Sequence, residues 1–483
     1  MKELLKTSVQ RRLAIVGKLR DTFDWQPLQK IADELDCTPK TVLSDIDTIN
    51  HEWAGKVGVE YSKTKGLRLD DSQHNKWQLL FSSIMEQSEA FDFLEKVFFD
   101  PNKDAEYWIN CLFVSEATFY RMIRQLEHSL KRHGLQIERK PFRVTAPDER
   151  WVRIFYQNFF IEKYGLARWP FFLAKQELLC FVNGSSQTFD LLLTDREKMR
   201  YTYFLVVLLF RNSQGFLLAP DLLQQKQPPL TTTRAALLAE LEKSILRTQL
   251  SVSQNWQTEV ALSLYYDHVL LKQHEALDVL AELRKFFTEL ETTFMIELAA
   301  IDQKRLFQAC LQLYHGYRIY PYRRTLLFNE AELFSRFVKR DYPHFTKLVQ
   351  QLLIRLEKAT DFPWFTQFQA EVLQLLFKNW GQLGYYLDVH SPKVNVLVVS
   401  DSGKRHGELL AEWLKSRFYY RVEPTVYGES IFALTDYEKL ATYDLVLSNY
   451  PLANYPYPNL QLIDDFLDDL DFLLVSQQVK QKR

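Results

Sequence analysis

The sequence predicts a multidomain, mainly α-helical chain: two tandem winged helix-turn-helix domains, two helical bundles and a C-terminal α/β unit. Three observations predict it: an ungapped internal repeat near the N-terminus, a long glycine-poor helical middle, and a change to strand-loop-helix text after residue 391. With 483 residues, 47% hydrophobic, 25% charged and only 14 glycines, the chain is long enough for several cores. Low-complexity, collagen-like and disordered classes are excluded. The 60 basic and 61 acidic residues leave a formal charge of −1, so nucleic-acid binding requires a local patch. Cys37, Cys111, Cys180 and Cys310 are scattered with no CxxC pair, which indicates neither a zinc site nor a disulfide framework. No apolar run approaches the roughly 20 residues of a membrane span, and the N-terminus carries charges throughout, so a cytoplasmic protein is expected.

The repeat places Ile31–Asn50 over Trp108–Glu127 without a gap, so that Leu35 meets Leu112, Val42 meets Phe119, Ile46 meets Ile123 and Ile49 meets Leu126. In each copy a helical apolar stripe stops, a short turn follows, and a second stripe begins after Thr38 or Ser115, both good N-caps. Pro39 follows its cap, where a missing N–H is harmless. Strand-like alternation with a central turn signal comes next, over Val57–Leu69 and Leu135–Val144, as in the wing of a winged helix. A single copy could equally be an αα-corner; two copies with trailing hairpins favour tandem domains, 1–72 and 73–147.

Residues 1–147 carry 22 Lys plus Arg against 22 Asp plus Glu, yet Thr118–Arg143 holds Arg121, Arg124, Lys131, Arg132, Arg139, Lys140 and Arg143 against only Glu127 and Glu138, a local +5. On the second copy's recognition helix, Phe119, Ile123, Leu126 and Leu130 face inward, leaving Thr118, Arg121, Arg124, Gln125 and His128 to face DNA. Arg suits guanine, Gln suits adenine, and neighbouring cations suit phosphate. Arg139, Lys140 and Arg143 extend this surface along the wing. The first copy offers Lys40, Thr41 and Ser44, opposed by Asp45, Asp47 and Glu52, together with its wing residues Lys63, Lys65 and Arg68.

From 148 to 390 the text is helical and aromatic, and two weaker repeats divide it at 272/273. Asp195–Arg211 aligns with Asp302–Arg318, and Trp256–His268 with Phe368–Trp380. His268 and His315 are candidate phosphoryl acceptors, since an exposed neutral imidazole can take a phosphoryl group; each could equally be a structural helix-end histidine. Over 391–483 a buried strand, Val394–Ser400, precedes a polar loop, a helix at Glu408–Phe418 and strands at Tyr420–Tyr427 and Tyr443–Ser448. An open, mostly parallel sheet is expected. Ser402-Gly403-Lys404 lacks the upstream glycine of a phosphate-binding GxxxxGK[ST] loop.

This order of parts resembles the Mga/AtxA family of transcription regulators from Gram-positive bacteria, over nearly the whole chain. The resemblance implies that 148–272 and 273–390 are similar to phosphotransferase-system regulation domains (PRDs) and that 391–483 is similar to the EIIB component of sugar phosphotransferases. It further implies a global regulator, an activator, that binds promoter double-stranded DNA with little sequence preference. Self-association as a homodimer or higher homo-oligomer through the PRD-like and EIIB-like parts is also implied, with optional phosphorylation of His268 or His315 by a phosphotransferase-system phosphocarrier protein. No enzyme activity, catalytic residue, metal, cofactor or membrane partner is implied. The sequence departs from the EIIB pattern at Ser400-Asp401-Ser402-Gly403, where a phosphocysteine loop would lie, and no cysteine follows Cys310. Leu208 stands opposite His315 and Trp380 opposite His268, so each bundle keeps at most one acceptor at the paired positions. The alternatives are an RNA-binding antiterminator with PRD-like bundles, which needs a small β-rich head, and a phosphocarrier enzyme using the C-terminal unit.

Overall fold

Local sequence explains where each helix of the repeat starts. In the computed structural model the described residues are 1–22, 25–70, 76–189, 191–224, 231–264, 277–390, 392–434, 437–468 and, beyond these, 471, 472, 475, 476 and 479. The first copy comprises α1 (Thr7–Thr22), α2 (Leu28–Glu34), α3 (Pro39–Glu52), β1 (Val59–Ser62) and β2 (Gly66–Leu69). Thr38 caps α3, its hydroxyl accepting the Thr41 N–H at 3.2 Å, and Pro39 occupies the first turn. β1 and β2 pair antiparallel with Val59 opposite Leu69. Gln26 adds a further bridge, exchanging N–H···O bonds of 2.7 and 2.8 Å with Leu67. That approach needs Gly66, whose φ is +99° and where a Cβ would lie 2.1 Å from the Gln26 carbonyl oxygen.

The second copy contains α4 (Trp77–Glu86), α5 (Glu89–Phe99), α6 (Ala105–Leu112), α7 (Glu116–Lys131), β3 (Gln136–Arg139) and β4 (Phe142–Thr145). Asp104 caps α6 through the Tyr107 N–H at 2.9 Å, and Ser115 caps α7 through the Thr118 N–H at 3.3 Å. The paired positions are buried alike: Ile31 and Trp108, Val42 and Phe119, Ile46 and Ile123, Ile49 and Leu126 are all at or below 3% exposure. The only strands described in residues 1–147 are two wings of four-residue strands, so the β-rich head that an antiterminator needs is not what these residues build.

The helices that follow are α8 (Glu149–Tyr164), α9 (Lys175–Thr188), α10 (Asp195–Ser213), α11 (Pro220–Leu223), α12 (Thr232–Arg247) and α13 (Trp256–Leu264). Their core includes charge. Arg153 and Glu259, both 0% exposed, pair at 2.7 Å, and Arg211 forks onto Glu149 at 2.8 and 2.7 Å. Buried ions survive only with partners this close, and removing one would leave the other stranded.

Two compact units emerge, Met1–Asp278 with Gln308–Leu333, and Val279–Phe307 with Phe334–Arg483. The stretch 273–390, expected as one bundle, is thus divided. It contains α14 (Leu277–Phe294), α15 (Ala300–Ile319), α16 (Glu330–Asp341), α17 (Pro343–Thr360), α18 (Gln369–Asn379) and α19 (Leu383–His390). The chain from the second half of α15 to Leu333 belongs to the first unit for a visible reason. Trp151 Nε1–H donates to the Ile319 carbonyl at 2.7 Å, Tyr322 packs over Gly134, and Phe328 stacks on Phe81 with centroids 5.1 Å apart.

Within the second unit, β5 (Val394–Val399), α20 (Lys404–Phe418), β6 (Val422–Val426), α21 (Glu438–Ala441), β7 (Leu445–Ser448) and β8 (Leu460–Leu462) form an all-parallel sheet of order β6-β5-β7-β8. Val394, Val396 and Val398 point to one face against Leu410 and Leu414 of α20, while Leu397 and Val399 point to the other. α20 starts at Lys404, four residues before the expected Glu408, because the Gly407 N–H already closes a turn onto the Gly403 carbonyl at 3.1 Å. No described helix is long and apolar enough to cross a membrane.

Candidate nucleic-acid interface

The recognition helix of the second copy is held rigidly before it offers anything to a ligand. Phe119, Ile123, Leu126 and Leu130 of α7 are each 0% exposed. Phe119 packs edge-on to Phe93 and Phe142, with centroids 5.8 and 5.4 Å apart, locking α7 to α5 and to the wing. With this stripe inward, Arg121, Arg124 and His128, at spacings of three and four, share the outward face. All three are exposed and make no ion pair or hydrogen bond among the described residues. Lys131 and, at the wing tip, Lys140 are likewise exposed and unpaired there.

The rest of the expected ridge is partly self-neutralised. Arg139 forks onto Glu127 at 2.8 Å, Arg143 meets Glu138 at 2.6 Å, and Arg132 meets Glu3 at 2.7 Å. Glu3 comes from outside the 118–143 stretch and lowers its balance from +5 to +4. Surface pairs of this kind contribute under about 1 kcal/mol, so a phosphate can displace the carboxylates. Thr118 is half-buried with its hydroxyl 3.0 Å from that of Ser115, whereas Gln125 is exposed; Thr118 and Gln125 line a cleft of about 370 Å³ that Leu5, Lys6 and Trp53 also line. Arg121 reaches the rim of the same cleft.

In the first copy Lys40 and Ser44 are exposed, while Thr41 is half-buried and shares a 2.9 Å contact with the Thr38 hydroxyl. Asp45 does not oppose DNA as the charge pattern suggested. It is 3% exposed and accepts from Arg11 Nε at 2.5 Å and Arg12 Nε at 3.2 Å, so α1 neutralises it. Glu52 pairs with Arg12 at 3.0 Å, which leaves Asp47 as the outward acid of α3 without an ion pair among the described residues. On the wing Lys63 and Lys65 are exposed, and Arg68 lies over the Trp25 ring at 5.0 Å while pairing with Glu60 at 2.9 Å.

Of the two candidate phosphoryl acceptors, His268 lies outside the described residues. His315 is 4% exposed with its ring edge-on to Tyr314, so in this conformation the accessible imidazole that a phosphocarrier requires is not there. At the end of β5, Ser400 Oγ is 2.8 Å from His406 Nδ1, and His406 Nε2 donates to the Asp465 carbonyl at 2.6 Å. The loop after β5 thus begins with a hydroxyl set against the imidazole of His406 in the first turn of α20. Among the described residues no group of His, Cys, Asp and Glu is placed to hold a metal.

Sequence reasoning missed a clasp on the second copy. His133 is buried, its Nδ1–H donating to the Arg323 carbonyl at 3.0 Å, and burial pushes it down to about 4. Glu162 accepts the N–H groups of Leu326, Leu327 and Phe328 at 2.7, 2.9 and 3.3 Å; burial outweighs those bonds and pushes it up to about 7. Neither residue stands in a motif. The one textual signal was Tyr320-Pro321-Tyr322, which marks a break but not where the broken segment docks.

The family model of the Mga helix-turn-helix domain matches residues 73–160, which span the second copy and most of α8. Relatives align over almost the full length. A protein of Streptococcus pneumoniae described as a trans-acting regulator is 22% identical over 480 residues, covering 96% of this chain and 95% of its own. Two Bacillus anthracis proteins, the capsule synthesis positive regulators AcpA and AcpB, are each 19% identical, covering 97% and 93% of this chain and 98% and 94% of their own.

Proposed function

The chain belongs to the Mga/AtxA-type family of transcriptional regulators, and on that premise we propose that it binds promoter DNA with α7 in the major groove and both wings on flanking phosphates. It is a regulator, not an enzyme. The observation that carries the reading is the outward face of α7, where Arg121, Arg124 and His128 stand exposed and unpaired on a helix fixed by an aromatic core. A helix-turn-helix reads bases with the N-terminal part of its second helix, and Arg is the residue that forks onto guanine. Lys140, Lys63 and Lys65, with Arg139 once it leaves Glu127, supply phosphate contacts. Thr118, Gln125, Lys40, Thr41, Ser44, Arg68 and Arg143 serve as secondary contacts.

The test is duplex binding by the full chain, followed by fluorescence anisotropy across a salt series. Affinity should fall with a log–log slope of about −0.9 per neutralised phosphate, and Arg121→Ala with Arg124→Ala should weaken binding at least about tenfold without unfolding the chain. Unchanged affinity of that double variant would remove α7 from the interface.

AcpA and AcpB are each named a positive regulator, which supports activation over repression. PRD-like bundles and an EIIB-like end supply self-association in this reading, giving a homodimer or higher oligomer in the cytoplasm. Control by a phosphotransferase-system phosphocarrier would act through His268, or through His315 after an opening of its helix end. Sedimentation of the full chain as a monomer at micromolar concentration would remove the dimer.

A further inference from the structure

The turn between α6 and α7 contains a residue whose type the fold does not explain. Phe113 is 96% exposed, and its backbone is left-handed, with φ +53° and ψ 42°. Its counterpart in the ungapped repeat is Asp36, also left-handed at φ +50° and also exposed. Both turns therefore need one residue in this region, and the first copy fills it with a short polar side chain that tolerates it. A phenylalanine at the same point adds steric cost to the backbone and leaves a large apolar ring in water, and no ring contact among the described residues offsets either. The choice of side chain, not the geometry, differs between the copies.

Resting on the DNA-binding reading above, we propose that Phe113 is a specificity-determining residue that packs against the C5-methyl groups of thymine in the major groove. Phe113 stands two residues before Ser115, the cap of α7, and so borders the end of the recognition helix that enters a groove deepest. The groove floor offers one apolar feature, the thymine methyl, and an exposed ring is a suitable partner for it. Glu116, exposed in the first turn of α7, repels phosphate, which turns this edge of the domain toward bases and away from the backbone. Arg121 and Arg124 continue the same surface along the helix, joining the ring to the cationic face.

Full-length protein should be titrated against a duplex of about 30 base pairs and against the same duplex with every thymine replaced by uracil, which lacks only the methyl. The wild type should prefer the thymine duplex by roughly fourfold or more, the worth of one buried methyl group. Phe113→Ala should bind both duplexes alike, at the uracil-duplex affinity and with an unchanged salt slope, while Phe113→Leu should keep part of the preference. Phe113→Ala retaining the wild-type preference would overturn the proposal, and if that variant bound DNA normally but lost transcription activation in a reconstituted assay, the ring would belong to a protein contact instead. Arg121→Ala with Arg124→Ala separates the two levels. Its loss of binding beside an unaltered Phe113→Ala condemns only the thymine contact, whereas full binding by both variants sinks the α7 interface as well.

Discussion

The two helix-turn-helix copies share a backbone and divide their labour by side chain. At the positions occupied by Arg121, Arg124 and His128 on α7, the first copy has Ser44, Asp47 and His51 on α3. Caps, turn and buried stripe are common to both, so these belong to the scaffold; what faces outward is free to differ. The inward faces differ most informatively at one position: where α7 buries Met122, α3 buries Asp45 and recruits Arg11 and Arg12 to neutralise it. α3 thus neutralises its buried acid within the fold, while α7 leaves Arg121, Arg124 and His128 exposed without an ion pair among the described residues. The segment following α15 holds the second copy at His133 and touches the first at Met1, whose ammonium donates to the Leu326 carbonyl at 3.1 Å.

The sharpest way to break this comparison is at the buried acid. Asp45→Ala leaves Arg11 without its carboxylate and Arg12 with only Glu52, and should destabilise the fold by about 3 kcal/mol, read as a shift in the denaturation midpoint; a loss below ~1 kcal/mol would make Asp45 an ordinary surface acid. The next effect belongs to the clasp. Burial lifts Glu162 from the ordinary carboxylate value of 4.5 to about 7, so the folded state holds its proton more tightly than the unfolded chain does. Its contribution is therefore complete below pH 4.5 and lost as pH rises through about 7, on the order of 2–3 kcal/mol. Glu162→Gln should erase that decline relative to wild type in unfolding at matched pH values, and parallel pH curves would refute it.

Removing the caps gives a smaller, symmetrical result. Thr38→Ala and Ser115→Ala should each cost about 1 kcal/mol, and nearly the same amount, because both satisfy the same helix donor. Unequal costs would show that the copies are less alike than their backbones. The smallest effect comes from giving α3 the charge of α7. Asp47→Arg should raise DNA affinity about two- to fivefold at low salt and steepen the salt slope by about 0.9; no change would place α3 away from the duplex.

The shared part of the comparison was legible in the text because it depends on neighbours. Thr38 and Ser115 sit three residues from the N–H they satisfy, and the stripes of α3 and α7 follow from helical period alone. The wings and the first three strands of the C-terminal sheet were legible for the same reason. The three-residue β8 is too short to show a period. The hidden features are those in which one side chain chooses a partner far along the chain. Asp45 meets Arg11 across 34 residues, Arg132 meets Glu3 across 129, and Glu162 holds backbone 164 residues away. Charge counts locate cations but cannot tell which are already matched, and so the ridge looked freer than it is.

Because Gln308–Leu333 completes the unit that begins at Met1, that unit cannot close while it is being made. At a translation rate of about 5–20 residues per second, the reading head leaves the ribosome many seconds before the segment that covers His133 and Glu162. During that interval the nascent chain presents bare apolar surface around Phe81 and Trp151. A truncated head would stay permanently in this unfinished state, and a regulator assembled in this order becomes competent only when most of its length exists.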